Sequence, residues 1–420
     1  MQLDISTGRV VIVGAGQAGA ELAGALRSQG FAGSITLLGD ERYPPYRRPP
    51  LSKAFLAGEV SLESLYLKTA DAYEKQGIQC MLGTAVERID RDAHRICLAD
   101  GSVLPYDKLG LATGGRARKL PLPGATHSNV HYVRNIEDIQ RLRTQFEAGR
   151  RLVIIGGGYI GLETASVAVK AGLHVCVIEG LPRVLARVTV PEISAYYESV
   201  HRARGVEIRT GVGVRALDGA RKVEALVLTD GQRVDADLVV IGIGLVPNTE
   251  LAEAAGLEVS NGIVVDAHLL TSDPDIVACG DCTFHENVFY QRRMRLESVP
   301  NALEQARVAA ANMIGKPAAY SAVPWFWSDQ YDLKLQMVGL SEGFDQFVVR
   351  GAMEKDRFVA FYLREGVVIS ADAVNRPQEF MVAKRLVAER VKVDAARLID
   401  ESSSLKDVMA DIAHARIAQI

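Results

Sequence analysis

The stretch RVVIVGAGQAGAELAGAL, Arg9 to Leu26, decides the fold. Val10 to Val13 is a short apolar run of the kind that forms a buried parallel strand. Gly14, Gly16 and Gly19 follow at fixed spacing, and an Ala/Leu-rich helical pattern begins at once. Glycines at these positions allow a tight turn, close approach of backbone to a pyrophosphate, and close helix–strand packing. The free N–H groups and positive dipole end of the helix then face the anion. The same pattern returns in RLVIIGGGYIGLETASVAVKAGLHVCVIEG, which starts at Arg151. Gly156, Gly158 and Gly161 repeat the first three glycines at a spacing of 142 (156 − 14). Two complete strand–turn–helix fingerprints make an architecture rather than a chance motif.

An acid stands at the end of the second strand in each repeat. Asp40 follows the run Ser34 to Leu38, and Glu179 ends the run after Leu173. Such an acid accepts hydrogen bonds from ribose hydroxyls, and at Glu179 it would repel a 2′-phosphate, favouring NADH over NADPH. Asp40 also reads as a solvated turn residue.

Between the fingerprints the loop Tyr43-Pro-Pro-Tyr-Arg-Arg-Pro-Pro-Leu-Ser-Lys53 carries four prolines. They forbid a regular helix and fix an extended course leading to a helix near Ser52, which could cap it. Lys53 by itself reads as a surface lysine. Glu163 is placed in the first turn of the second fingerprint helix, where the dipole favours an acid. Asp100-Gly101 and Asp230-Gly231 are hairpin signals between apolar runs. A strand ending at Gly280-Asp281 offers a carboxylate in a tight turn, suited to the ribityl hydroxyls of a flavin. Cys279 and Cys282 straddle that turn and read as structural thiols, not as a helix-opening redox pair. Arg292, Arg293 and Arg295 read as a solvated face. Trp325 and Trp327 share one strand face, and core packing is their plain reading. Alternating runs at Gln346–Arg350 and Arg357–Leu363, then helical periodicity from about Pro377, indicate a third unit without a glycine fingerprint.

With 420 residues the chain has room for two or three domains, and its 48% hydrophobic and 24% charged content is that of a soluble globular protein. A net charge of −3 excludes a globally basic nucleic-acid binder. No signal peptide and no membrane span are expected. Five scattered cysteines suit reduced thiols and a cytoplasmic location.

Taken together, Pro49-Pro-Leu-Ser-Lys53, Gly156-Gly-Gly-Tyr-Ile-Gly-Leu-Glu163, Glu297-Ser-Val-Pro-Asn-Ala-Leu-Glu-Gln-Ala-Arg307 and Pro324-Trp-Phe-Trp-Ser-Asp-Gln330 resemble the FAD-dependent, NADH-oxidising ferredoxin reductases. The resemblance runs from Val10 into the C-terminal part. It implies an α/β fold with two Rossmann-like dinucleotide-binding domains, glutathione-reductase-like in arrangement, plus a C-terminal α+β domain. Its expected bounds are 1–117 with 247–326 for FAD, 118–246 for NAD, and 327–420 for an interface domain. It implies that Gly14, Gly16, Ala18, Gly19, Asp40, Lys53, Val86, Arg134, Asp281 and Val299 contact FAD. It assigns Gly156, Gly158, Gly161 and Glu179 to NADH, Trp327 to the cofactor site, and Lys53 with Glu163 to a catalytic pair. Arg307 and Trp327 match positions where a small acidic 2Fe-2S ferredoxin docks. The implied enzyme is an NADH:ferredoxin oxidoreductase with no metal of its own, a monomer or weak homodimer, whose ferredoxin supplies a cytochrome P-450 monooxygenase. The alternatives are reduction of rubredoxin or of a dioxygenase ferredoxin, or an NADH-sensing flavoprotein that recruits partners. No cysteine lies between Glu41 and Phe55, where disulfide reductases carry their dithiol.

Overall fold

A computed structural model describes residues 6–410. The chain divides into two compact units. The first comprises Met1–Arg48, Val60–Arg116 and Leu245–Ala322; the second comprises Pro49–Glu59, Ala117–Gly244 and Val323–Ile420.

The first unit is built on a parallel sheet in the order Ile276–Ala278, Lys108–Leu111, Arg9–Val13, Ser34–Gly39, Ile78–Leu82. Val10 to Val13 are buried, each aliphatic side chain contributing about 1.5–3 kcal/mol. Such a strand, covered on both faces, reads as a continuous apolar run rather than an alternating one. The helix Gln17–Ser28 follows, and Leu22, Ala23 and Leu26 on its inner face are fully buried. The helix Val299–Met313 packs beside it through Ala302, Ala306, Ala309 and Ala310. Its N-cap is Ser298, whose hydroxyl accepts from Asn301 N at 3.2 Å.

The second unit repeats this plan. Its parallel sheet runs Glu207–Thr210, His174–Glu179, Arg151–Ile155, Leu238–Ile241, Val130–Tyr132. The repetition extends to details outside the glycines. Arg9 opens its strand by gripping Asp107 with its backbone N–H at 2.7 Å and Nη2 at 2.8 Å. Arg151 grips Asp237 in the same way, at 2.9 Å for both contacts. Each half also carries a three-stranded antiparallel sheet. One comprises Val86–Asp90, Arg95–Leu98 and Val103–Pro105; the other comprises Val214–Asp218, Ala225–Leu228 and Arg233–Asp235. Asp100-Gly101 and Asp230-Gly231 turn the second hairpin of each, where the sequence places them.

The remaining sheet is antiparallel in the order Trp325–Gln330, Leu333–Gly339, Val367–Val374, Arg357–Arg364, Gln346–Ala352. The helix Pro377–Ala388 covers one face through Phe380, Ala383, Leu386 and Val387.

Two local expectations are corrected. The segment Pro49–Ser52 coils into a 3-10 turn instead of staying extended. Ser52 does not cap the short helix Ala54–Ala57, whose N-cap is Lys53 without a side-chain bond. Within the compact units, Pro49–Glu59 goes with the second fingerprint, and the C-terminal sheet shares that unit.

Candidate functional site

The glycines of both fingerprints do three separable jobs. Gly14 and Gly156 each have φ of +113°, and a Cβ there would lie 2.1 Å from Ala112 O and 2.3 Å from Gly242 O. Both positions therefore admit only glycine. A Cβ on Gly19 would sit 1.9 Å from Gly14 O, and one on Gly161 would sit 2.1 Å from Gly156 O. These glycines let the helix close on its strand. Gly16 and Gly158 differ: a Cβ there meets nothing within 4 Å. Each stands as N-cap of a 12-residue helix with no side-chain cap. The first-turn N–H groups thus face a cradle that a side chain would fill, which fits the pyrophosphate of a bound dinucleotide.

Around the first cradle, Ala18 is buried, and a Cβ on Gly280 would lie 2.9 Å from its own Cβ. The Gly280-Asp281 turn therefore abuts the start of the helix Gln17–Ser28. Gly280 N donates to Gln305 Oε1 at 2.7 Å, which ties the turn to the helix Val299–Met313. Asp40 is exposed just past its strand; Val86 and Val299 are half-buried at the first residues of a strand and a helix. Arg307 is on the surface of the same unit, held by Glu21 at 2.7 Å and Glu304 at 3.5 Å.

One cluster escaped the sequence reading. Arg48 bonds Glu41 Oε1 at 2.6 Å and the Tyr46 hydroxyl at 2.8 Å, and that hydroxyl donates to Glu41 Oε2 at 2.6 Å. Burial pulls the Arg48 guanidinium down, but Tyr46, Glu41 and Asp281 outweigh it and hold it above its ordinary pKa. The signal was present as paired arginines in a proline-fixed loop, but nothing in their spacing named the acids they meet.

In the second unit, Glu179 Oε2 accepts from Gly157 N at 2.7 Å and Oε1 from Leu181 N at 2.7 Å. The carboxylate is thereby fixed against the glycine turn. Arg183, the arginine nearest in sequence, instead bonds Ser194 Oγ at 2.6 Å and Ala186 O at 3.1 Å. Arg134 lies half-buried before the helix Ile136–Arg143, and its backbone N–H donates to Asp138 Oδ2 at 3.1 Å.

Lys53 and Glu163 meet within this unit. Lys53 Nζ lies 2.8 Å from Glu163 Oε2. Ser52 Oγ donates to the same oxygen at 2.6 Å, and Ser328 Oγ donates to Oε1 at 2.6 Å. Glu163 is the fifth residue of the helix Tyr159–Lys170, beyond the first turn where the dipole acts. What compensates its burial is therefore this set of three donors. Burial still wins: it pushes the carboxyl above its usual range despite Lys53, Ser328 and Ser52.

Trp325 leans on Phe380, with ring centroids 6.0 Å apart, and Lys384 Nζ lies 4.5 Å over its ring. Trp327 follows on the same face, its ring 5.6 Å from that of Trp325. Cys279 and Cys282 are fully buried free thiols, and burial pushes both up in pKa. Among the described residues no group of His, Cys, Asp and Glu could hold a metal ion, and no helix is long and apolar enough to cross a membrane.

The sequence matches the pyridine nucleotide-disulphide oxidoreductase family over residues 8–306 and the reductase C-terminal family over 325–409. Members of the first bind FAD and NAD(P)H. The chain is 51% identical to putidaredoxin reductase of Pseudomonas putida, with 96% of each covered. It is 44% identical to rhodocoxin reductase of Rhodococcus erythropolis, covering 96% of this chain and 94% of that one. Among solved structures it matches the reductase of the covalent putidaredoxin reductase–putidaredoxin complex with TM-score 0.94 and 50% identity, over 97% and 99% of the two chains.

Proposed function

The chain belongs to the pyridine nucleotide-disulphide oxidoreductase family as one of its ferredoxin reductases, and from that premise we propose that it carries electrons from NADH, through FAD, to a small acidic 2Fe-2S ferredoxin that supplies a cytochrome P-450 monooxygenase. FAD held here would supply hydride acceptance from the nicotinamide and one-electron release to the ferredoxin.

The observation that carries the reading is the Lys53–Glu163 pair, 2.8 Å apart, on a segment with no cysteine. A fixed ammonium beside a redox group offsets negative charge as it develops there. Glu163 holds that ammonium in place. Electrons have no dithiol to enter, because Cys279 and Cys282 are buried and their thiols are held protonated. In the first unit Gly14, Gly16, Ala18, Gly19, Asp40, Val86, Asp281 and Val299 would hold FAD. In the second, Gly156, Gly158, Gly161 and Glu179 would hold NADH. The choice of NADH rests on Glu179, an anion pinned by Gly157 and Leu181, with Arg183 turned away to Ser194. A 2′-phosphate there would meet a carboxylate and no free guanidinium from Arg183. Arg307 and Trp327 would contact the acidic partner.

The test is anaerobic mixing with NADH and with NADPH, followed by turnover with purified carriers. Rapid bleaching of bound flavin by NADH alone is expected, then fastest turnover with a P-450-type 2Fe-2S ferredoxin. A flavin unreduced by NADH ends the proposal; faster reduction of rubredoxin or of a dioxygenase ferredoxin reassigns the partner. Glu179→Arg is expected to raise NADPH use relative to NADH, and an unchanged ratio would remove Glu179 from the ribose site.

A further inference from the structure

Alternate residues of the strand Trp325–Gln330 face opposite ways, as period two requires. Trp325 and Trp327 take one side. Phe326, Ser328 and Gln330 take the other, where Phe326 stacks on Tyr159 of the second fingerprint helix at 4.8 Å. Ser328 and Gln330 are both buried, and so is His201 of the helix Pro191–Ala203. Three polar side chains in so dry a place need a common purpose, because each buried donor or acceptor left alone is costly.

They are satisfied by one another, in line. The Tyr331 hydroxyl lies 3.1 Å from His201 Nδ1. His201 Nε2 lies 2.9 Å from Gln330 Oε1. Gln330 Nε2 donates to Ser328 Oγ at 3.2 Å, and Ser328 Oγ donates to Glu163 Oε1 at 2.6 Å. With a neutral imidazole, only one assignment of protons serves every link with an ionised carboxylate at the end. Tyr331 donates to Nδ1, His201 carries its proton on Nε2 and donates to the Gln330 carbonyl, and the amide donates onward. Head-to-tail hydrogen bonds polarise one another, so each strengthens the last.

We propose that Tyr331, His201, Gln330 and Ser328 form a one-way hydrogen-bond chain that ends on Glu163 and holds its carboxylate ionised and facing Lys53. These four are positioning residues: none is assigned a contact with substrate or cofactor, and they act through Glu163. The inference rests on the role given to the Lys53–Glu163 pair above.

Two further observations agree with it. Tyr331 has a φ of +58° in the two-residue turn between its strands, a conformation that bulky residues rarely adopt. Glycine would be the easy residue there, so the phenol occupies this turn at a backbone cost. Arg204 covers the Tyr331 ring at 4.5 Å and is fixed by Asp332 at 2.9 Å, which locks the outer end of the chain. His201 must also stay neutral to accept at Nδ1, and burial, with Arg204 nearby, pulls its pKa down to about 4. The charged or titratable groups facing the chain are thus Lys53 and Tyr159 at the Glu163 end and Arg204 and Tyr331 at the His201 end.

The experiment follows the protonation of Glu163 by infrared titration of its carboxyl band in the FAD-bound protein, with Glu163→Gln identifying the band. Ser328→Ala is expected to raise the midpoint by about one pH unit, tenfold in the protonation constant, since it removes a bond to a charged acceptor. His201→Phe keeps the ring volume and is expected to raise it by about half as much. Ser328→Thr, which restores the hydroxyl, is expected to return the wild-type midpoint. Nitrogen-15 NMR is expected to show His201 neutral with its proton on Nε2 at pH 7. Where His201→Phe does not fold, Tyr331→Phe removes a single hydroxyl and reads the same chain. A wild-type midpoint in both Ser328→Ala and His201→Phe overturns the proposal, as does an Nδ1-protonated His201. These results are separable from failure of the underlying reading: if Glu163→Gln reduces its flavin at the wild-type rate, the pair has no catalytic part, whatever the titrations show.

Discussion

Replacing Gly158 by alanine separates nucleotide binding from folding. Gly158 has φ −81° and ψ −176°, which alanine adopts without strain, and its Cβ would meet no protein atom within 4 Å. Losing glycine at an N-cap costs up to about 1 kcal/mol, and the stiffer unfolded chain returns about 0.4–1 kcal/mol, so stability should change by less than about 1 kcal/mol. The new methyl instead fills the cradle. Pushing a phosphate outward by a methyl radius breaks one or two charge-assisted hydrogen bonds of about 1.5–3 kcal/mol each. A total near 3 kcal/mol weakens NADH by about 150-fold. Gly161→Ala is the contrasting variant. Its Cβ would lie 2.1 Å from Gly156 O, so the turn must move by more than an ångström or the helix must lift, at about 3 kcal/mol of stability. The assay is the NADH dependence of anaerobic flavin bleaching, alongside denaturant unfolding of each variant. Gly158→Ala should melt like the wild type with a raised KM, and Gly161→Ala should be unstable. A Gly158→Ala protein with wild-type KM would refute the assignment of this cradle to the dinucleotide.

Three other outcomes are expected. Burial pushes the Asp372 carboxyl from 3.8 up to about 6, while Tyr362 and Thr189 donate to it at 2.5 and 3.1 Å. Unfolding between those two values releases a proton, so stability falls as pH rises through that window and stays low above it; Asp372→Asn should therefore gain on the wild type by roughly 1.5 kcal/mol between pH 5 and pH 8 in urea unfolding, and a pH-independent difference would count against the buried charge. Cys279→Ser with Cys282→Ser should leave NADH-driven ferredoxin reduction within about twofold of the wild type, since a dithiol relay would cost orders of magnitude; a collapse of rate in a folded variant would restore the thiols to the mechanism. Glu163→Gln should slow flavin reduction about tenfold or more by loosening a charge-assisted hold on Lys53, read by stopped-flow absorbance.

What could be read in the sequence was local. Each fingerprint is a strand, a turn and a helix within about twenty residues, so its glycines announce their jobs without help from the rest of the chain. The hairpins at Asp100-Gly101 and Asp230-Gly231 are equally self-contained. Ser52 shows where this ends. Its position before a short helix suggests a cap, yet its hydroxyl goes to Glu163, 111 residues away. Ser328 reaches the same carboxylate across 165 residues, and His201 reaches Gln330 across 129. No periodicity encodes such pairings; they exist only once the sheets have set the partners side by side. The dipole argument for Glu163 failed for a smaller reason, a helix start at Tyr159 that leaves the acid past the first turn.

The three-way hold on Glu163 has a consequence for biosynthesis. Its donors come from Ser52, Lys53 and Ser328, so they leave the ribosome in widely separated instalments. When the strand and helix bearing Glu163 emerge, the partner on the far sheet has yet to be translated. A nascent chain stalled before residue 328 would carry a carboxyl group lacking one of its hydroxyl donors, and fragments cut at linear domain borders would separate it from Lys53 altogether. Maturation of this centre is thus a late, whole-chain event, and arrested translation products are the place to watch it happen.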